Sequence, residues 1–381
     1  MCSKYTIRSV IVFFIVFFSS SLIKAQHCYV FVGSYNWDST KAGIYIYELD
    51  TTSGQLVMRS SINNVLNPAY LTLSPNGKYV YACTGAQQKG GGAVSSYAVN
   101  IATGVLSFIS TQKSGGENPV YLSVHQSGKW LLNANYTGGS ISAYLLDTSG
   151  TIAPASQTIS FKDSSVNKER QDRAHPHSIL FSPQQDYVFV PDLGADKIRC
   201  FAFESSGTQP LQAAAQPYVT TVAGSGPRHL TFHPNGHFCY CTEEMGGTVT
   251  VYTYSAGKLD SIQRVPTRKK QKRKDYSNAD IHISPDGMFL YASNRSKENN
   301  IAIFSINQQS GKLKWVGTQS TLGNHPRNFA IYPTGKFLLV ANQISGDIVV
   351  FKRDIKTGML SVTGTKQKVP GASCLKIKQY F

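Results

Sequence analysis

A phrase repeated six times constrains this chain more than any other feature. An apolar strand, a tight turn and a second apolar strand appear as PAYLTLSPNGKYVYACTG (68–85), PVYLSVHQSGKWLLNANY (119–136) and PHSILFSPQQDYVFVPDL (176–193). They return as PRHLTFHPNGHFCYCTEE (227–244), DIHISPDGMFLYASNR (280–295) and PRNFAIYPTGKFLLVANQ (326–343). The turn position falls at Gly77, Gly128, Gln185, Gly236, Gly287 and Gly335, with spacings of 51, 57, 51, 51 and 48 residues. Each unit continues with a third strand such as VTVYTY (249–254). A Thr-Gly or Ser-Gly turn and a fourth strand such as GKLKWVG (311–317) usually follow. No unit shows a helical period. Four-stranded units of roughly 50 residues predict propeller blades. One such sheet cannot bury both of its faces, so the blades must pack around an axis.

The chain ends supply a seventh blade. CYVFVGSY (28–35) reads as a second strand lacking its first, followed by GIYIYEL (43–49) and GQLVMRS (54–60) as third and fourth. ASCLKIKQYF (372–381) reads as the missing first strand. The expected fold is therefore all-β: a single seven-bladed β-propeller over residues 26–381, with four antiparallel strands per blade. The N- and C-terminal strands share one blade, and this closure removes the open edges of a linear array. It also puts Cys28 and Cys374 on adjacent strands, the one long-range disulfide worth testing. The plainer reading is two unlinked buried thiols, like Cys83, Cys200, Cys239 and Cys241. No C-x-x-C or Cys/His spacing suggests zinc. Residues 1–25 read as a secretory signal: Lys4 and Arg8 precede the apolar run Val10 to Phe18, and Ala25 ends the segment. That run is short for a membrane span, and no later segment is apolar enough to cross a bilayer. The expected location is secreted or periplasmic.

In this topology, the start of each first strand and the end of each second strand meet at one mouth of the central channel. Eight residues before the turn stand Ala69, Val120, His177, Arg228, Ala279 and Arg327. Eight residues after it stand Gly85, Tyr136, Leu193, Glu244, Arg295 and Gln343. Positions serving only to pack repeats should be alike, yet these diverge toward charge. Asn135, Asp192, Asn294 and Asn342 sit one residue earlier on the second strands, and Glu243 is a second carboxylate beside Glu244. His175, two residues before His177, reads as a loop residue supporting it. His229, His233, His237 and His282 read as structural. An Arg228–Glu244 ion pair ordering the blade is the bland reading of part of this cluster, and it can coexist with function. Arginine forks fit carboxylates and phosphates and can stabilise an oxyanion. His177 or Glu244 would take a proton from water. An arginine-rich cluster repels cations, so no metal is expected. The formal net charge of +16 allows anionic partners without naming one. The basic run RVPTRKKQKRKD (264–275) reads as a solvated loop or a mouth-side rim attracting anions. No reading helix or stacking platform accompanies it, so nucleic-acid recognition is not expected.

AHPHS (174–178), VPDLGADKI (190–198), GSGPRHLTFHPNG (224–236), IHISPDGMFLYASNR (281–295) and PRNFAIYPTGKFLLVANQ (326–343) carry a family resemblance. The chain resembles the lactonase-type seven-bladed propellers, which include bacterial 6-phosphogluconolactonases of the propeller class and fungal carboxymuconate cyclases. The resemblance covers essentially all of residues 28–381. It implies a catalytic set of His177, Glu244, Arg228 and Arg295, with no cofactor and no metal. The repeat comparison adds Arg327, with His175, Asp192, Glu243, Gln343 and Asn135, as substrate-binding candidates. The implied activity is hydrolysis of a small anionic lactone or sugar-acid lactone. Export points away from a phosphorylated cytoplasmic metabolite. A cycloisomerase on the same residues and a non-catalytic binding propeller are the alternatives.

Overall fold

The computed structural model describes Cys2, residues 26–269 and residues 275–381. All but Cys2 of the segment that reads as a secretory signal, and residues 270–274 of the basic run, therefore lie outside the described residues. Seven four-stranded antiparallel sheets form a ring. Blade 1 consists of Ala372–Tyr380, His27–Ser34, Ile44–Leu49 and Leu56–Ile62, in that spatial order. Blades 2 to 7 follow in chain order, their innermost strands beginning at Tyr70, Pro119, Leu180, Pro227, Asn278 and Pro326. Innermost strands of successive blades contact one another around the axis, except that Pro227–Phe232 of blade 5 packs against the second strand of blade 4, Tyr187–Asp192. Among the described residues no helix is long and apolar enough to cross a membrane.

The second strands show why the ring holds. They are buried at nearly every position and apolar along most of their length because both sheet faces are covered, so alternation sends successive residues to different neighbours. In blade 6, Leu290 and Ala292 join a core shared with blade 5, while Phe289 and Tyr291 join one shared with blade 7. A further repeated contact links the blades at their rims. Two residues after each turn position stands an aromatic: Tyr79, Trp130, Tyr187, Phe238, Phe289 and Phe337. In five of these cases the ring lies under the glycine that turns the third strand into the fourth on a neighbouring blade. The pairs are Tyr79 under Gly150, Tyr187 under Gly257, Phe238 under Gly311, Phe289 under Gly358 and Phe337 under Gly54. The sixth, Trp130, instead donates its Nε1 hydrogen to the carbonyl of Ser205 on blade 4 at 3.1 Å. Those glycines adopt φ between 68° and 82°, which an L side chain resists, and a Cβ would strike the ring.

Ring closure follows the expected pairing, but the register corrects the disulfide reading. Cys28 stands opposite Gln379 and Cys374 opposite Gly33, at opposite ends of the shared ladder. Cys374 instead packs against the next blade, where its sulfur accepts from the Leu71 amide at 3.3 Å. All six cysteines from Cys28 onward are free and buried.

Candidate active site

The site is built by β-bulges at the mouth end of the innermost strands. In blade 5, Pro227 faces Glu243 and His229 faces Thr242, so Arg228 is one residue more than the partner strand carries. Val120 in blade 3 and Arg327 in blade 7 occupy the same extra position. In blade 6, Ala279 and Asp280 together face Ser293. A bulge breaks the two-residue alternation and re-aims side chains. Here it lets Arg228 and its neighbour His229 both face the axis. In blade 4 the ladder is interrupted between the Pro176–Asp192 bridge and Leu180, and His177 lies in that gap.

Glu244 is the hub. Arg170 Nη2 donates to its Oε1 at 2.7 Å, while Arg228 Nε and Arg295 Nη2 approach Oε2 at 2.9 and 2.8 Å. Burial opposes ionisation, but Arg295, Arg228 and Arg170 outweigh it and hold the carboxyl well below the usual range. Both oxygens are thus committed, and the group is a poor proton acceptor. Arg327 has a different setting: its Nη2 donates to the Tyr35 hydroxyl at 2.9 Å, and among the described residues it has no carboxylate partner. Three guanidinium groups therefore hold one carboxylate, and a fourth, that of Arg327, lines the same pocket.

His177 stands at the centre of the pocket. It lines both the open cavity of about 170 Å³ at the mouth and a smaller enclosed one beneath it, shared with Arg228, His229 and Ser373. Its ring meets those of Tyr136 and His229 edge-on, at centroid distances of 5.2 and 5.3 Å. Its Nδ1 is buried without a hydrogen-bond partner among the described residues. Burial first, then Arg228, His229 and Arg327, hold its pKa well below the ordinary value, so the imidazole is neutral. Among the described residues no three of His, Cys, Asp or Glu gather closely enough to hold a metal ion. The arrangement can bind an anion, stabilise a developing oxyanion and offer a neutral base.

The family model described as lactonase, 7-bladed beta-propeller, matches residues 29–377. The chain belongs to this family. Among lactonase-family propellers, it is 40% identical to a 6-phosphogluconolactonase of Formosa agariphila, over 92% of this chain and 99% of the relative. It is 31% identical to a 6-phosphogluconolactonase of Bacillus subtilis, over 91% of this chain and 97% of the relative. The solved structure of a periplasmic gluconolactonase from Pseudomonas aeruginosa superposes with a TM-score of 0.87. That protein is 33% identical over 93% of this chain and 99% of the other.

Of the residues singled out from sequence, this lactonase-family propeller brings His177, Arg228, Glu244, Arg295 and Arg327 to one pocket. It does not bring Asn135, Asp192 or Glu243 there. Each lies one position before the mouth residue of its strand, and alternation turns it into the layer between blades. Asn135 donates to the carbonyl of Ser114 at 2.9 Å, and Asn294 and Asn342 make equivalent bonds to Thr267 and Thr321. Asp192 accepts from Arg199 Nη2 at 2.8 Å and from the His175 amide at 2.7 Å. Glu243 accepts from Arg264 Nε at 2.7 Å and from the hydroxyls of Thr248 and Thr250. His175 stacks on Tyr136 at 4.4 Å and bonds its carbonyl at 2.8 Å, so it supports Tyr136 rather than His177. Gln343 is tied by its amide to the His325 carbonyl at 3.0 Å and does not line either cavity. In the basic run, Arg264 is bound to Glu243, and Arg268 pairs with Glu298 at 3.0 Å.

The repeat comparison also missed residues. Arg170 comes from the loop before blade 4, which has no counterpart in other units. Tyr35 follows the first of the three blade 1 strands at the N-terminus, which lack a turn to measure from. His229, whose place within a strand reads as structural, lines the lower cavity.

Proposed function

We propose that this protein hydrolyses a sugar-acid lactone of the gluconolactone type. The observation that carries the reading is the convergence of the neutral His177 imidazole with Arg228 and Arg327 on one axial pocket. Arg327, without a carboxylate partner among the described residues, receives the acidic or hydroxyl-bearing part of the substrate. Arg228 donates to the carbonyl oxygen. A water oxygen attacks the carbonyl carbon while His177 takes its proton, giving a tetrahedral oxyanion held by Arg228. The intermediate collapses with cleavage of the ring carbon–oxygen bond. The imidazolium returns its proton to the leaving alkoxide, releasing a hydroxy acid. A lactone that carries an acidic group, such as the 6-phosphate, offsets the positive charges that depress His177 and raises its basicity, whereas the neutral glucono-1,5-lactone does not.

The names of the Formosa, Bacillus and Pseudomonas relatives support this substrate class. The apolar segment at residues 10–18 and the periplasmic relative support export, which favours the unphosphorylated lactone. The test compares glucono-1,5-lactone with its 6-phosphate, after subtraction of spontaneous hydrolysis. His177→Ala is expected to lower kcat by roughly 10²–10⁴-fold. Arg327→Ala is expected to act chiefly on KM. Wild-type turnover in both variants would remove the mechanism.

A further inference from the structure

Beneath the pocket runs a buried polar chain that the mechanism above leaves unused. Asp280 accepts from His229 Nδ1 at 2.7 Å, His282 Nε2 at 2.9 Å, the Phe329 amide at 3.2 Å and the Asn328 side-chain amide. The other nitrogen of His229, Nε2, meets Arg228 Nη1 at 3.1 Å. A guanidinium only donates, and an ionised carboxylate only accepts. His229 is therefore the neutral imidazole with its proton on Nδ1 and its Nε2 lone pair facing Arg228. Burial and the Arg228 charge bring its pKa down to about 3, which agrees with that state.

Arg228 is fixed on two sides. Its Nε donates to Glu244 at 2.9 Å, and its Nη1 is shared between His229 and the Ala279 carbonyl, the latter at 2.6 Å. Nη2 is the one nitrogen of the fork with no hydrogen bond to a described residue. A buried Asp–His pair is expensive to desolvate, and apolar side chains would fill the same space at less cost. What the pair supplies is an acceptor lone pair of fixed direction beneath a guanidinium.

We propose that Asp280 and His229 are positioning residues: together they clamp Arg228 so that Nη2 is presented to the substrate carbonyl oxygen. The chemistry rests on the lactone-hydrolase reading, whereas the clamp itself does not. In ¹⁵N-histidine spectra, the resonances lost in His229→Gln identify His229, and the wild type is expected to carry the proton on Nδ1. A proton on Nε2 would overturn the proposal. His229→Gln keeps an acceptor oxygen for Arg228, and its kcat on glucono-1,5-lactone is expected to stay within about 3-fold of wild type. Misplacing an oxyanion donor costs on the order of tenfold to a hundredfold. That loss in kcat, with little change in KM, is expected of His229→Leu and Asp280→Asn. Equal kcat in the Gln and Leu variants would overturn the clamp. If the wild type hydrolyses no lactone, the functional reading fails. The crystal structure of His229→Leu then decides: a turned Arg228 fork supports the clamp, and an unmoved one refutes it. Should the Leu variant not fold, the wild-type tautomer decides alone.

Discussion

At the scale of single residues, the pocket concentrates groups held away from their ordinary protonation. Glu244 holds three guanidinium groups together. Glu244→Gln leaves them facing one another without a counter-charge, and breaking such a buried arrangement costs about 3–5 kcal/mol. Denaturant titration should show that loss in the midpoint, with an unchanged slope. The histidines set the response to acid. His177, His229 and His325 are neutral in the fold because burial, reinforced by nearby arginines, lowers their pKa values, to about 3 for His229 and His325. In the unfolded chain they bind protons as pH falls through about 6.5. The unfolded state then holds more protons, so stability declines from about pH 6.5 downward. Glu244 and Asp280 have depressed folded values, so their contribution is present above about pH 4 and is lost as pH falls through those values. Thermal scans should show a Tm that begins to drop below about pH 6.5 and drops more steeply below about pH 4. His229→Gln should make the first decline shallower. A wild-type Tm constant between pH 7 and pH 5 would contradict this account.

At the scale of strands and turns, the contact between an aromatic and a neighbouring blade's glycine makes its own prediction. Gly311 has φ 68° and lies against the Phe238 ring, whereas Gly364 has φ 89° and open space around it. Gly311→Ala combines left-handed strain of about 1–2 kcal/mol with overpacking of about 1–3 kcal/mol. Gly364→Ala carries the strain alone. The two midpoints should therefore differ by at least about 1 kcal/mol, and equal values would deny the contact any energetic role. The same scale explains what the sequence made legible. The turn position acts as a ruler because every blade repeats one strand–turn–strand geometry, so counting eight residues either way reached His177, Arg228, Arg327, Glu244 and Arg295. Counting fails where geometry departs from the repeat. Alternation hides Asn135, Asp192 and Glu243 between blades. The bulge at Arg228 restores His229 to the axis and the separate bulge at Ala279 and Asp280 does the same for Asp280, and no residue pattern announces a bulge. Arg170 arrives on a loop that only one blade possesses.

At the scale of the whole molecule, the site depends on closure. The strand Ala372–Tyr380 pairs with His27–Ser34 along its length, and it also reaches the pocket from below. Ser373 donates to the carbonyl of Ala69 at 2.9 Å and lines the lower cavity. Asn328, which donates to Asp280, accepts from the Leu375 amide at 2.7 Å through its other side-chain atom. Closure is non-covalent, since no disulfide joins the ends. Removing residues 372–381 would strip blade 1 of its innermost strand, exposing the backbone of His27–Ser34 as an open edge beside buried apolar surface. It would also free Asn328 and loosen Asp280 beneath Arg228. The truncated chain is therefore expected to lose its single cooperative unfolding transition and to aggregate. A synthetic peptide spanning residues 369–381, added in excess, should restore both the transition and turnover by pairing as the missing strand. If the truncated chain instead unfolds in one transition at the parental temperature, six and three-quarter blades suffice. Closure by the last strand would then be incidental to the pocket.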